Sequence, residues 1–112
     1  MTDLTTRDAF LDAVRASDEA PVVVYKHSAS CFVSSVAQRQ IDALDQPGDP
    51  DVYRVVVQAA REVSNAVEAE TGVRHESPQA FVFWRGEAVW NASHLSVTAR
   101  AIRKAVHSLS LA

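Results

Sequence analysis

The sequence predicts a single α/β domain in which a mixed β-sheet is flanked by helices. Two runs rich in β-branched residues, PVVVYKH and VYRVVV, are separated by a helical apolar pattern, which indicates a parallel βαβ unit. Two further apolar runs, AFVFW and EAVWN, flank a two-residue spacer, which is typical of an antiparallel hairpin. With 112 residues, 47% of them hydrophobic, the chain can form one core, so we predict one domain over residues 1–112.

The first half of the chain predicts helix, strand and helix. Residues 5–16 (TTRDAFLDAVRA) place apolar side chains on one helical face, and a threonine can cap the start. The run beginning at Pro21 is almost continuously apolar, as expected of a strand covered on both faces. From Cys31 to Leu44 apolar residues recur at helical spacing, and Ser28 or Ser30 can cap this helix.

The second half predicts strand, helix, hairpin and helix. After the turn QPGDPD, a strand begins near Val52, and the helix REVSNAVEAETG ends at Gly72, which suits a left-handed C-terminal position. The hairpin turns at Arg85-Gly86, and SVTARAIRKAVHSL forms the last amphipathic helix. The order α-β-α-β-α-β-β-α is that of a thioredoxin-like fold with a central four-stranded mixed sheet. The parallel pair should have a right-handed crossover.

The charge balance argues against polyanionic partners. Lys and Arg number 11 against 14 Asp and Glu, for a net charge of −3, so we predict neither nucleic-acid nor membrane binding. The start MTDLTTRDAF lacks the pattern of a signal peptide, and no apolar run approaches the roughly 18 residues of a membrane span. We expect a cytoplasmic protein, because a reducing cytosol keeps a lone thiol free.

The single cysteine lies in the segment KHSASCFVSS, where a strand is followed by a helix. Three roles are open to Cys31: an inert residue packed in the core, a metal ligand, or a nucleophile that acts without a second cysteine. A helix N-terminus favours thiolate, and Lys26 and His27 would add positive charge if their side chains turned toward it. The sequence lacks clustered Cys and His residues, so no metal site is predicted.

The residues around this thiol indicate a monothiol arrangement. Ser34 stands where a dithiol oxidoreductase has its second cysteine, so an outside thiol must resolve any mixed disulfide. Taken alone, a serine there is an ordinary first-turn residue that caps the helix or faces solvent. Ser77-Pro78 precedes the third strand, and we predict a cis bond that exposes the Ser77 backbone to an extended substrate. A proline that merely begins an edge strand is the alternative.

Three segments give the chain a family resemblance: YKHSASCFVSS, VSNAVEAETGVRHESPQAFVFWRGEAVWNASH and SVTARAIRKAV. It resembles the YtxJ-type bacilliredoxins, monothiol thioredoxin-like proteins of bacteria that use bacillithiol. The resemblance implies a cis Pro78, a nucleophilic Cys31 and removal of bacillithiol from mixed disulfides on client proteins. Bacillithiol would be a co-substrate, with no cofactor. The family usually has proline after the cysteine, where this chain has Phe32, whose backbone N–H is therefore available.

Bacillithiol joins a cysteine to a sugar and to a malate with two carboxylates, so its anionic end needs donors. A thioredoxin fold brings two segments beside the cysteine. One is the loop holding Arg74 and His75, and the other is the junction holding Ser93 and His94. A helix N-terminus over Ser93 to Ser96 would offer free N–H groups. Ordinary exposed loops are the alternative for both segments.

Two other functions remain open at this point. Monothiol glutaredoxins with C-G-F-S carry an iron–sulfur cluster between two subunits, but C-F-V-S lacks that glycine. A non-catalytic adaptor would keep the fold and bind proteins through the proline edge, with an unperturbed thiol. The sequence specifies neither the client proteins nor the oligomeric state.

Overall fold

The computed structural model describes residues 1–109, and Ser110–Ala112 of the predicted domain lie outside the described residues. The strands are β1 Thr2–Asp3, β2 Val22–His27, β3 Asp51–Val56, β4 Gln79–Trp84 and β5 Glu87–Ser93. The helices are α1 Arg7–Ala16, α2 Phe32–Asp42, α3 Arg61–Thr71 and α4 Ala99–His107, with a 3-10 turn at His94–Ser96. None of the helices in this part of the chain is long and apolar enough to cross a membrane.

The sheet has the strand order β1-β3-β2-β4-β5. β3 runs parallel to β1 and β2, whereas β4 runs antiparallel to β2 and β5. The prediction of four strands was one strand short, because β1 has only two residues and so shows no alternating pattern. Asp3 in β1 pairs with Arg54 in β3, with Arg54 Nε 2.7 Å from Asp3 Oδ1.

Helices cover both faces of the sheet, as the apolar β2 run predicts. Val22 and Val24 face a cluster that includes residues of α1 and α3, whereas Val23 and Tyr25 face a cluster that includes residues of α2 and α4. Successive side chains of a strand point to opposite faces, so one strand contributes to both clusters. The protein therefore has helix, sheet and helix layers, with β2 between β3 and β4.

Two predicted helix starts differ from the structure. The residue before α2 is Cys31 itself, in extended conformation and without a side-chain capping bond, so neither Ser28 nor Ser30 is the cap. The last helix starts at Ala99, where the Thr98 hydroxyl accepts from the Ala101 N–H. The predicted helix N-terminus at Ser93 to Ser96 was therefore wrong, because a 3-10 turn precedes α4 there.

Candidate active site around Cys31

Cys31 lies at the carboxyl edge of the parallel strands β2 and β3. The carboxyl ends of parallel neighbours meet at one edge, so the loop after β2 lies beside the residues after β3. Gln58, which follows β3, donates from Nε2 to Ser28 Oγ at 2.8 Å and to Ser30 Oγ at 3.3 Å. Its Oε1 accepts from the Ala29 N–H at 3.1 Å. Gln58 thus fixes the loop that leads to the thiol.

The Cys31 thiol is partly exposed and its pKa is lowered. The backbone N–H of Ser34 favours the thiolate and lowers the pKa most. Partial burial opposes this shift, whereas the N–H of Val33 and the hydroxyl of Ser34 add to it. These groups stabilise the thiolate, which is the nucleophilic form of cysteine.

Ser34 is fully buried and does not face solvent. Its Oγ accepts from the Ser28 N–H at 3.2 Å, so it ties the start of α2 to the preceding loop. The buried Tyr25 hydroxyl donates to the Ser34 carbonyl at 3.0 Å. Hydrogen bonds from Tyr25 of β2 and from the Ser28 N–H of the loop therefore both fix the first turn of α2.

The positive charges expected from Lys26 and His27 do not contribute to the lowered pKa of Cys31. Lys26 is fully buried, with Nζ 3.1 Å from Nδ1 of His75. His27 has its Nδ1 2.9 Å from the Tyr25 hydroxyl. Burial, followed by the charge of Arg54, lowers the pKa of His27, which favours the neutral ring.

The Ser77-Pro78 bond is cis, as predicted. Lys26 in β2 pairs with Gln79 in β4, so Pro78 lies at the carboxyl end of β2, the edge from which the chain continues to Cys31. Ser77 is half-buried. The proline and the thiol therefore share one end of the sheet.

The two segments expected to bind the small thiol meet at Pro78. Ser93 pairs with Gln79, and the His94 N–H donates to the Pro78 carbonyl at 2.9 Å. His94 has a positive φ of 55°, and its Nε2 lies 2.8 Å from a carboxylate oxygen of Glu76. The sequence patterns did not identify Glu76 as a site residue. The 3-10 turn that begins at His94 contacts α2.

The loop before Pro78 is exposed at Arg74 and His75. Gln79 holds this loop, because its Nε2 donates to the Arg74 carbonyl at 3.0 Å and its Oε1 accepts from the Glu76 N–H at 3.3 Å. Gln79 and Gln58 were both missed as site residues. Gln79 is the first residue of β4 and Gln58 is two residues after the end of β3, so each is a polar residue near a strand end at the Cys31 edge. That position is the sequence signal that could have identified them.

The residue after the thiol is a large exposed side chain. Phe32 is 81% exposed, and Leu95 on the 3-10 turn that contacts α2 is 70% exposed. The other phenylalanines, Phe10, Phe81 and Phe83, are buried, so the exposed ring of Phe32 is an exception. An apolar ring in solvent beside a reactive thiol is accessible to a partner surface.

We expect Cys31 to be alkylated with a midpoint below the roughly 8.5 of a free cysteine, because backbone and hydroxyl donors stabilise the thiolate. Ser34→Ala should raise that midpoint slightly, since it removes the smallest of the groups that lower the pKa and leaves the backbone N–H groups. Ser35→Ala, on the exposed side of α2, is the control. The measurement is the iodoacetamide rate against pH. A wild-type midpoint at or above that of an unstructured cysteine peptide would contradict this account.

Within residues 1–109, no three His, Cys, Asp or Glu side chains come together in a way that could hold a metal ion. The site that the described residues do form consists of one thiol at the start of α2, groups that favour its thiolate, and a cis proline at the same end of the sheet.

Comparison with known proteins agrees with this arrangement. A family model described as monothiol bacilliredoxin BrxC matches residues 2–102. A solved protein described as a candidate oxidoreductase with a thioredoxin fold is 35% identical with a TM-score of 0.85, over 93% of this chain and 91% of that one. Fasciola hepatica thioredoxin is 15% identical with a TM-score of 0.76, over 96% and 97% of the chains. Spinach chloroplast thioredoxin f is 16% identical with a TM-score of 0.72, over 96% and 90%. The two thioredoxins share the fold, and the family match supports a thiol redox role: the chain belongs to the monothiol bacilliredoxin family.

Proposed function

We propose that this protein removes bacillithiol from mixed disulfides on client proteins. The observation that carries the proposal is a partly exposed cysteine, Cys31, at the start of α2, with a buried serine, Ser34, in place of a resolving cysteine. The setting that we propose is a bacterial cytoplasm, where reducing conditions keep such a thiol free. Client proteins and bacillithiol are its partners, and bacillithiol is a co-substrate with no further cofactor.

The reaction is two thiol–disulfide exchanges. The Cys31 thiolate attacks the bacillithiol sulfur of the mixed disulfide, a Cys31–bacillithiol bond forms, and the client cysteine leaves as a thiolate that takes a proton from water. A thiolate from a second low-molecular-weight thiol then attacks the bacillithiol sulfur. Cys31 is released as thiolate, and the bacillithiol leaves as a small disulfide. Each step breaks one disulfide bond and forms another.

Two surfaces near the thiol suit a protein client. The cis-proline edge at Ser77 offers backbone groups to an extended segment. The exposed side chains of Phe32 and Leu95 offer apolar area for contact. Burying an exposed aromatic ring is among the more favourable contributions that one residue makes to a protein interface. The protein therefore presents a reactive sulfur together with two surfaces that suit a client protein.

Intact mass spectrometry tests the proposed function. The protein is mixed with a client that carries bacillithiol on one cysteine, and the masses of both chains are followed in time. We expect the client to lose one bacillithiol as this chain gains one. Because Cys31 is the only cysteine, the adduct has one possible position. Cys31→Ser, which has no thiol, is the negative control. A client that keeps its bacillithiol in the presence of reduced wild-type protein would contradict the proposal.

A further inference from the structure

Lys26 is a fully buried cation that the exchange reaction does not use. It is near the end of β2, paired with Val55 of β3 and Gln79 of β4. It alternates in phase with Val22 and Val24, so it faces the α3 side of the sheet rather than α2. Its Nζ lies 3.1 Å from Nδ1 of His75. A buried ammonium needs a partner of this kind, because leaving it unpaired is costly.

His75 is held so that one edge of its ring faces the protein interior. Nδ1 also lies 3.3 Å from Ser64 Oγ of α3. The His75 backbone N–H donates to a Glu68 carboxylate oxygen at 2.6 Å. The residue as a whole is nevertheless exposed. With Nδ1 directed inward, the opposite edge of the ring, which carries Nε2, is the edge left for solvent or a ligand.

The chemistry of the ammonium determines which ring nitrogen carries the proton. A lysine ammonium has three donors and no lone pair, so it can only donate to Nδ1. Nδ1 must then keep its lone pair, and the neutral ring carries its proton on Nε2. Burial, followed by the charge of Lys26, lowers the pKa of His75, which favours this neutral ring. Burial lowers the pKa of Lys26 to about 8, so the ammonium persists at neutral pH.

We propose that Lys26 is a positioning residue that holds His75 in the Nε2–H tautomer, so that a neutral hydrogen-bond donor faces an oxygen acceptor of the small thiol bound beside Ser77-Pro78. This rests on the proposed function, since the acceptor is part of that ligand. Between the lowered pKa of His75 and the titration of Lys26 the ring stays neutral, so the strength of this donor does not change with pH in that range. Lys26 therefore acts through His75 and touches neither the thiol nor the ligand.

The charged groups around Lys26 and His75 determine the pH range over which His75 keeps the Nε2–H tautomer. Glu68 of α3 faces both Lys26 and His75, whereas Glu76 and Arg61 act on His75 with opposite sign. When Lys26 loses its proton, near pH 8, its neutral amine can also accept a hydrogen bond. The Nδ1–H tautomer then becomes available. The population of Nε2–H should therefore decline as the pH rises through about 8.

Nitrogen NMR of protein labelled with 15N-histidine measures the tautomer directly, with the signals of the 4 histidines assigned by substitution. We expect the wild-type protein at pH 7 to show His75 protonated at Nε2 and unprotonated at Nδ1. Lys26→Met should give a mixture of tautomers and a higher His75 pKa. Lys104→Met, which changes the other, exposed lysine, is the control. An Nδ1–H ring in the wild-type protein would overturn the proposal, and this measurement stands even if Lys26→Met fails to fold.

A second measurement tests the donor role through two variants of His75. His75→Gln supplies an acceptor for Lys26 and an amide donor facing outward, whereas His75→Phe supplies neither. The ratio of capture rates for bacillithiol disulfide and a neutral disulfide should fall about tenfold in the Phe variant and stay within about twofold in the Gln variant. Equal falls would overturn the donor role. If the wild-type protein does not remove bacillithiol from a client, the proposed function fails, while the NMR result still decides the tautomer.

Discussion

A Ser34→Cys variant is expected to hold almost no bacillithiol after it has reacted with a client, whereas the wild-type protein holds about one equivalent. Ser34 is in the first turn of α2, three residues after Cys31, and its hydroxyl is one of the groups that lower the pKa of Cys31, so a thiol at this position lies near that sulfur. A positioned intramolecular thiol acts at an effective concentration far above that of an external thiol. It should attack the Cys31 sulfur, expel bacillithiol and leave an internal disulfide. The adduct should fall below about one-tenth of the protein.

Intact mass distinguishes the two end products, because the mixed disulfide is heavier than the reduced chain and the internal disulfide is two hydrogens lighter. Ser35→Cys is the matched control, since it adds the same thiol one residue later on the exposed side of α2. That variant should keep the adduct. If the adduct persisted in Ser34→Cys, or disappeared equally in Ser35→Cys, the absence of a thiol at position 34 would not be what makes this protein retain the adduct.

Most of the fold was predictable because local pattern and global packing agree. The continuous apolar run of β2 specifies a strand covered on both faces, and its alternating side chains supply the two apolar clusters. Gly72 has a φ of 69°, the left-handed value that its place after α3 predicts. β1 could not be predicted, because a two-residue strand depends on pairing with β3 across almost the whole N-terminal half.

The position of the thiol was predictable, but its electrostatics were not. A strand followed by a helix places Cys31 at a helix start, and the structure has it there. Proximity in sequence suggested that Lys26 would help to lower its pKa. The period-two alternation of β2 indicates otherwise, because Lys26 is in phase with Val22 and Val24, which face away from α2. His27 does lie on the α2 side, but its Nδ1 is hydrogen-bonded to the Tyr25 hydroxyl.

The carboxylate of Glu76 changes the prediction that the malate of bacillithiol binds beside His94. His94 has a positive φ that no sequence pattern indicates, and this conformation accompanies the 2.8 Å contact between its ring and the Glu76 carboxylate. A carboxylate beside the expected malate site opposes a second anion. We therefore propose that exposed Arg74 supplies the larger attraction, and that His94 binds a carboxylate of bacillithiol when that group replaces Glu76 as its partner.

Replacing Arg74 and His94 together with alanine should lower the rate of bacillithiol capture about tenfold relative to a neutral disulfide, because hydrogen-bond donors at an exposed site each contribute modestly. Both rates are measured by intact mass under the same conditions. Arg15→Ala with His107→Ala is the matched control, since these exposed residues lie at helix ends away from the Cys31 edge. That pair should leave the ratio unchanged.

Glu76→Gln should act in the opposite direction and raise bacillithiol capture about twofold, because it removes a competing carboxylate and leaves the donors in place. The gain should shrink in high salt, since exposed charges are screened. A loss of capture in Glu76→Gln would mean instead that this carboxylate contacts the ligand, where the amine of its cysteine is the group of matching charge. Equal losses with both disulfides in the Arg74 and His94 variant would mean that these residues support the thiol or the fold, and the malate site would lie elsewhere.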